Sequence, residues 1–408
     1  MHILYIHQYF TTPEESGGTT RSYEFARFLL KRGHKVTILT GSKLNDSLAS
    51  VKKINDEYIE GVHIIYLKTS YSTYMTFKRR LFSFLGFSLR AIWAGIKIKR
   101  YDLIFATSTP LTVAIPGIIL SIFHRVPMVF EVRDLWPEVP IQMNVIKNSL
   151  LIKLLRWFEV FTYKHSSHII ALSPGMVKGI LATGITKDKV TMIPNFCNLD
   201  FFKPGKPNNN LLERLECNNN PIIAYCGAIS YANNVESIVH TAKKLQEMNI
   251  SVTFVIAGEG RIKPKLEELA KIKKLKNIVF LGQINKYEVA ELYKKAIACL
   301  VLFKNLPILT TNSPNKFFDA ISSGKPIITN MDGWIGELIE THNIGFSVDP
   351  NNSQALVEAI VKLLHMSKNK IEKMGQNARD LAMEKFNSDN MTDKLEMIFK
   401  EATKSSSK

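Results

Sequence analysis

Strand-like and helix-like runs alternate along almost the whole chain, and nothing else in the sequence constrains the fold as tightly. HILYIHQYF reads as a buried strand, TTPEESGGTT as a loop, RSYEFARFLLKRG as a helix and HKVTILT as a second strand, which makes a βαβ unit. Strands VHIIYLK, DLIFATS, PMVFEV and HIIALS follow, separated by helical or loop segments. After the Pro- and Asn-rich FFKPGKPNNNLLERLECNNNP a second series begins, with strands IIAYCGA, SVTFVIAG, IVFLG, CLVLF and PIIT around helices such as VESIVHTAKKLQEM and YEVAELYKKA. Such a chain folds as α/β, with mostly parallel, doubly wound sheets covered by helices. Its 408 residues exceed what one core holds. Two Rossmann-like domains are therefore predicted, 1–200 and 221–384, joined by a linker at 201–220 and followed by a C-terminal helix and tail at 385–408, with KSSSK fraying.

In open sheets of this kind ligands sit beyond the carboxyl ends of strands. Two such domains are expected to face each other across a deep cleft, with the loop after the first strand, the loop after PMVFEV and the segment SPNKFFDAISSGKPIIT around it. That segment, Ser313 to Thr329, reads as a nucleotide-phosphate site. Ser313 is placed as the cap of a helix that begins with Pro314. The amides of Asn315 and Lys316, the positive end of the helix dipole and the Lys316 ammonium then attract a diphosphate. Asp319, one turn on, is positioned to accept from a ribose hydroxyl, and Gly324 and Pro326 end the helix.

Two constellations accompany it. Gly17 and Gly18, with Arg21 close behind, open the first helix without side-chain obstruction, so backbone can approach a phosphate or sugar; a surface turn is the alternative. PMVFEVRDLWPE sets Glu131, Arg133, Asp134 and Glu138 just past a buried strand, where ionisable groups are costly unless they bind, catalyse or pair with one another. Asp134 or Glu131 is the candidate to orient or deprotonate an acceptor hydroxyl, and Arg133 to neutralise developing phosphate charge. Trp136 is either a sugar platform or a packed indole. AGEGRIK matches a dinucleotide fingerprint only in part, since Lys263 stands at the third glycine. His165 and His168 lack partners for a metal set, no Asp-x-Asp occurs, and the four cysteines include no Cys-x-x-Cys pair. No metal or cofactor is expected, and a reducing cytosol fits the cysteines.

The formal charge of +17 is uneven, because residues 1–200 carry 25 Lys and Arg against 14 Asp and Glu. Seven basic residues and no acidic one lie between Lys78 and Arg100, interleaved with Leu81, Phe82, Leu85, Leu89 and Trp93. A basic, aromatic-rich helix suits an anionic membrane surface, and a core helix with a solvated basic edge is the alternative. Nucleic acid is not an expected partner, since no reader motif accompanies the charge. Leu103 to Phe123 is uncharged and long enough to span a bilayer, but its prolines favour strand, turn and helix. MHILYIHQYF lacks a basic leader, so export is not expected.

The blocks GGTTRSYEFARFLLKRGHKVTILT, PMVFEVRDLWPE, ALSPGMV with VTMIPNFCNLDFF, and SPNKFFDAISSGKPIIT, in that order, resemble a family 4 glycosyltransferase of the GT-B fold. The RDLWPE form and the Pro-Asn-Lys segment are similar to bacterial enzymes that build O-antigen or capsule units, of the N-acetylfucosaminyl transferase kind. The resemblance implies a nucleotide-sugar donor held mainly by the second domain and an acceptor on the first. It also implies metal-independent, retaining transfer. Taken with the basic, aromatic-rich segment, the phosphate site predicts an enzyme held peripherally at the inner face of the plasma membrane that adds an N-acetylated or deoxy hexose, from a UDP-linked donor, to a polyprenyl-diphosphate-linked acceptor. It places donor phosphates near Gly17, Gly18, Asn315 and Lys316, and it places Glu337 in a loop near the donor. It sets Asp319 where the second glutamate of a pair spaced eight apart belongs; Thr311 stands at the first. CGAISYANNVESI lacks the family's usual Arg and Lys, so Asn233, Asn234 and Glu236 are the substitutes, and Arg133 replaces a common histidine. Two other readings fit the same residues: a sugar-nucleotide epimerase, which needs no acceptor, and a non-catalytic membrane-surface protein that keeps a donor pocket.

Overall fold

The computed structural model describes residues 1–15, 20–41, 54–69, 75, 77–207 and 220–406. The chain forms two compact units, each built on one sheet. Unit 1 takes Met1–Thr12, the described residues from Thr20 to Pro194, and the chain from Ser388 onward. Unit 2 takes Asn195–Asn387 and a short segment from Pro13.

The unit 1 sheet has the order β3-β4-β2-β1-β5-β6-β7-β8. Its strands are β1 (His2–Ile6), β2 (Lys35–Gly41), β3 (Ile54–Ile59), β4 (Val62–Leu67), β5 (Leu103–Thr107), β6 (Met128–Val132), β7 (His168–Ala171) and β8 (Val190–Met192). Ile3, Leu4, Tyr5 and Ile6 are all fully buried, as a parallel strand covered on both faces requires. The strand predicted to run through HILYIHQYF stops at Ile6, so the polar pair His7 and Gln8 falls at its carboxyl end. β3 pairs antiparallel with β4 across a two-residue turn, Glu60 and Gly61, both at positive φ. All other neighbours in this sheet are parallel.

The helices of unit 1 begin with α1 (Arg21–Lys31), α2 (Phe77–Lys97), α3 (Ala114–His124), α4 (Glu138–Gln142), α5 (Ser149–His165) and α6 (Pro174–Leu181). The connections from β4 to β5, β5 to β6 and β6 to β7 all step the same way across the sheet. Right-handed crossovers therefore put α2, α3 and α5 on one face and α1, whose connection steps back, on the other. Gly95 lets α2 close on α3, since a Cβ there would meet Leu120 Cδ1 at 2.3 Å. The uncharged run from Leu103 to Phe123 is strand, turn and helix, with Pro116 in the first turn of α3. Among the described residues no helix is long and apolar enough to cross a membrane.

Unit 2 has a six-stranded, wholly parallel sheet of order β11-β10-β9-β12-β13-β14. The strands are β9 (Ile222–Cys226), β10 (Thr253–Ala257), β11 (Ile278–Gly282), β12 (Ala298–Val301), β13 (Ile327–Thr329) and β14 (Gly345–Ser347). Its helices are α7 (Glu236–Glu247), α8 (Lys263–Ile272), α9 (Lys286–Lys295), α10 (Asn315–Ser322), α11 (Trp334–Thr341), α12 (Ala355–Leu364) and α13 (Lys368–Lys385). Ile223, Tyr225, Phe254, Ile256 and Leu300 from the strands meet Ile238, Val239 and Leu245 of α7 in the core. Most of the proposed linker, residues 208–219, lies outside the described residues. The final helix, α14 (Ser388–Ser406), belongs to unit 1 and packs on α1, with Arg32 bonded to Asp393 at 2.6 Å and His34 to Glu396 at 3.0 Å. The helix runs to Ser406, so Lys404 and Ser405 of KSSSK, expected to fray, are helical, and the last two residues lie outside the described ones.

Candidate functional site

Each sheet has one point where strand order reverses, between β1 and β5 in unit 1 and between β9 and β12 in unit 2, and ligands of open α/β sheets settle beyond strand ends at such points. The residues singled out in the sequence fall at both.

In unit 1 the four-charge cluster after β6 divides. Glu131 is 0% exposed, and its Oε1 accepts from Arg21 Nε at 3.0 Å and Nη2 at 2.9 Å while its Oε2 accepts from Thr107 Oγ1 at 2.5 Å. Arg21 also donates to the carbonyls of Pro194 and Ile193. Both were expected to meet substrate. The structure instead makes them an interior ion pair, because the desolvated guanidinium and carboxylate satisfy each other and two backbone carbonyls accept from further Arg21 donors. Glu138, at the start of α4, pairs with Arg156 at 2.8 Å on the surface.

Arg133 and Asp134 lie beyond that pair. The Arg133 amide donates to Ser108 Oγ at 2.9 Å and its Nη1 to His7 Nε2 at 3.2 Å. Since arginine only donates, His7 carries its proton on Nδ1 and gives it to Ser22 Oγ at 2.9 Å. Burial, reinforced by the Arg133 charge, holds His7 well below the usual imidazole range and therefore neutral. Asp134 is pushed up to about 6 by burial, with Arg133 opposing, and its carboxylate accepts no hydrogen bond among the described residues. Gln8 is buried with both ends of its amide unpartnered among the described residues. The sequence reading passed over His7 and Gln8 because it absorbed them into the first strand. The available signal was a polar pair directly after a fully apolar run.

In unit 2, α10 starts at Asn315, one residue later than expected, and its cap is Pro314, which supplies no side-chain bond. Ser313 does not cap it: Oγ accepts from the Asn195 amide at 3.1 Å and the Ser313 carbonyl accepts from Asn195 Nδ2 at 2.5 Å. Asn195 has taken the hydroxyl that would have turned to the helix. The first amide of α10 to be satisfied is that of Phe317, bonded to Pro314 O, so the amides of Asn315 and Lys316 precede the hydrogen-bonded ladder.

Lys316 is 9% exposed. Its Nζ donates to Tyr225 Oη at 3.1 Å and Asn233 Oδ1 at 2.9 Å, and lies 4.5 and 4.8 Å from the ring centres of Tyr225 and Phe303. Burial pulls its pKa down to about 7. No carboxylate forms an ion pair with it among the described residues. The ammonium sits against the glycine turn after β9, 3.6 Å from where a Gly227 Cβ would stand. Gly227 has φ 154°, and Gly258, φ 147°, brings the next loop so close that its Cβ would lie 1.9 Å from Gly227 O. The glycines of AGEGRIK thus serve the stacking of these two loops.

Asp319, expected at a ribose, accepts at its Oδ2 from Lys286 Nζ at 2.5 Å. Burial raises its pKa while Lys286 lowers it. Asn315 is partly buried in the first turn of α10, and Glu337 is exposed in the first turn of α11. Gly17 and Gly18 lie outside the described residues. Among those residues no group of three or more His, Cys, Asp or Glu side chains is arranged to hold a metal ion. Cys197, Cys226 and Cys299 are buried free thiols.

Two family models tile most of the chain: one described as Glycosyltransferase Family 4 matches residues 16–201, and one described as Glycosyl transferases group 1 matches residues 211–381. The putative colanic acid biosynthesis glycosyl transferase WcaI of Escherichia coli K12 is 21% identical over 377 residues, covering 88% of this chain and 91% of that protein. An alpha-D-kanosaminyltransferase of Streptomyces kanamyceticus is 25% identical over 194 residues, covering 47% of this chain and 48% of that protein, so the match spans about half of each. Among solved structures, sucrose-phosphate synthase of Thermosynechococcus elongatus superposes with a TM-score of 0.77 at 18% identity over 98% of both chains. Anabaena HepE, in complex with UDP and glucose, superposes with a TM-score of 0.73 at 18% identity, over 98% of this chain and 100% of that one.

Proposed function

Because the chain belongs to the family 4 and group 1 glycosyltransferases and has their two-sheet GT-B fold, we propose that it moves an N-acetylated or deoxy hexose from a UDP-sugar to a polyprenyl-diphosphate-linked acceptor in surface polysaccharide synthesis. Lys316, buried and without a carboxylate counter-ion among the described residues, carries this reading. A cation held only by neutral partners is costly until an anion arrives, and a diphosphate leaving group is such an anion. Lys316 and the amides at the start of α10 stabilise the departing nucleoside diphosphate. Asn233, which already holds Nζ, stands in for the basic residues missing from CGAISYANNVESI. In unit 1, Asp134 holds the acceptor hydroxyl, with Arg133 kept in place by Ser108 and neutral His7. Retention of configuration and independence from metal follow from the family resemblance, as does the N-acetylfucosaminyl kind of donor. WcaI and the O-antigen chain mannosyltransferase C of Escherichia coli bear names that agree with the polysaccharide setting.

A lipid-linked acceptor calls for a membrane surface, and the outer face formed by α2, α3 and α5 suits one. Phe82 and Trp93 on α2, Ile122 and Phe123 on α3, and Leu150 and Trp157 on α5 are all exposed. No acidic residue occurs in α2, nor between Glu138 and Glu159. Exposed apolar side chains amid basic ones fit the headgroup layer of an anionic leaflet. The sequence pointed only to the first of these helices.

Incubation with a panel of nucleotide sugars and a membrane lipid extract, followed by mass measurement of the product, identifies donor and acceptor together. Lys316→Ala removes most transfer, by about a hundredfold or more, while leaving the protein folded. Normal turnover in that variant contradicts the assignment.

A further inference from the structure

Lysines at the carboxyl ends of the unit 2 strands fall into two kinds. Lys263 and Lys286, which begin α8 and α9, are neutralised by neighbouring carboxylates, Lys263 by Glu259 and Lys286 by Asp319. Lys316 has only neutral partners among the described residues, and Lys304 has fewer still. Lys304 lies just past β12, on the β9 side of which strand order reverses. Its ammonium stands 5.0 Å from the ring centre of Tyr231, and among the described residues it makes neither a hydrogen bond nor an ion pair.

The backbone fixes where this lysine stands. The peptide that joins Phe303 to Lys304 is bonded at both ends: its oxygen accepts from Asn330 Nδ2 at 2.8 Å, and its N–H donates to Ala232 O at 2.8 Å. Asn330 Oδ1 also accepts from the Phe303 amide at 2.9 Å. Ala232 is the middle residue of a single 3₁₀ turn, Tyr231–Asn233, whose outer two residues receive the two lysines. Asn233 Oδ1 accepts from Lys316 Nζ at 2.9 Å, and the Tyr231 ring carries Lys304. Phe303 in turn faces Lys316 Nζ at 4.8 Å. Lys304 and Lys316 are therefore held by the same two segments, 231–233 and 303–304. Like charges brought together with no carboxylate to pair them raise the energy of the empty protein and lower that of an anion complex.

We propose that Lys304 is a second cation of the donor site, contacting the diphosphate of the nucleotide sugar together with Lys316, and that Tyr231 holds its ammonium in position. The inference rests on the donor reading above and extends it to a residue outside the SPNKFFDAISSGKPIIT segment. A diphosphate carries more negative charge than one ammonium and the partial charge of a helix end offset. CGAISYANNVESI, the run that leaves β9, contains no basic residue, so the further charge has to come from another loop. Tyr231 is 61% exposed, which leaves the lysine on its ring open to an arriving ligand. An exposed cation–π contact is weak beside a charge-assisted hydrogen bond to phosphate, so the ammonium turns to the ligand at little cost. As the bond from sugar to diphosphate lengthens, charge grows on the leaving oxygens, and both ammonium groups stabilise it.

The test is titration calorimetry on the intact chain with UDP, and with GDP and dTDP as further probes. Lys304→Gln weakens the diphosphate that binds about tenfold, the loss of one charge-assisted hydrogen bond, and flattens the salt dependence of its binding. Lys304→Arg keeps the charge and holds both close to wild type. Tyr231→Phe keeps the ring and the affinity, whereas Tyr231→Leu removes the ring and weakens binding severalfold. Lys271→Gln makes the same charge change on the exposed surface near the far end of α8 and leaves the affinity unchanged. A Lys304→Gln effect no larger than that of Lys271→Gln, in a protein of matched thermal midpoint, overturns the proposal and leaves the donor reading standing. So does a loss in Lys304→Arg as large as that in Lys304→Gln, and wild-type affinity in Tyr231→Leu removes the role given to the ring. Failure of the wild-type chain to bind any of the three diphosphates overturns the donor reading and this inference with it.

Discussion

Arg21 of unit 1 and Lys316 of unit 2 are both buried cations near strand carboxyl ends, and their surroundings could hardly differ more. Arg21 has Glu131 as a counter-ion and two backbone carbonyls as further acceptors. Lys316 has a phenol oxygen and an amide oxygen, and no carboxylate among the described residues. One cation is complete in the empty protein; the other is left incomplete. That contrast separates the two better than burial does, because both groups are desolvated and only Arg21 has a carboxylate to offset it among the described residues. Lys286 and Asp319 fall on the Arg21 side of the divide, since they satisfy each other.

The largest effect expected is in unit 1. Glu131→Gln strands the Arg21 charge and costs about 3–5 kcal/mol of stability, read as a fall in denaturant midpoint, whereas replacing Arg21 and Glu131 together by apolar residues of similar volume restores most of it. A single variant that unfolds no more readily than wild type breaks the comparison from this end.

Asp134 sharpens it within unit 1, as the cluster member that Glu131 and Arg21 leave open. Burial raises its carboxyl to about 6, above the unfolded value. Its contribution to stability is therefore fully present below the unfolded pKa and is lost as pH rises through about 6, the reverse of a paired carboxylate. On the proposed role, in which ionised Asp134 holds the acceptor hydroxyl, the rate is predicted to fall as pH drops through about 6. Asp134→Asn lowers the rate about a hundredfold and abolishes that limb of the profile. An acid limb that survives in Asp134→Asn assigns it to another group.

Much of the fold was legible because alternation of apolar runs and amphipathic helices is a local signal, and both parallel sheets follow from it. What escaped is non-local or short. β3, with the polar sequence INDEYI, gains its place only by pairing antiparallel with β4 at the sheet edge. β14 is three residues long, and the return of α14 to unit 1 depends on contacts such as Arg32 with Asp393. In the site, the run past PMVFEV correctly flagged a charged cluster, but nothing local showed that Glu131 would be taken by a residue 110 positions away. The two Ser-Pro dipeptides make the same point: Ser173 caps α6 through the Met176 amide, whereas Ser313 is drawn off by Asn195. Lys316 was legible as a candidate for a phosphate from its place at a helix start; its burial against Tyr225 was not.

The central claim, that Lys316 is a buried cation held ready for a diphosphate, is tested most directly by counting protons as UDP binds. Burial leaves Lys316 with a pKa of about 7, so in the empty protein it is mostly neutral in mildly alkaline solution, and a bound diphosphate favours the charged form. Calorimetry in buffers of different ionisation enthalpy is predicted to show uptake of about one proton per UDP near about pH 8, and almost none in Lys316→Met. UDP binding without proton uptake in the wild-type protein, or equal uptake in Lys316→Met, would contradict it.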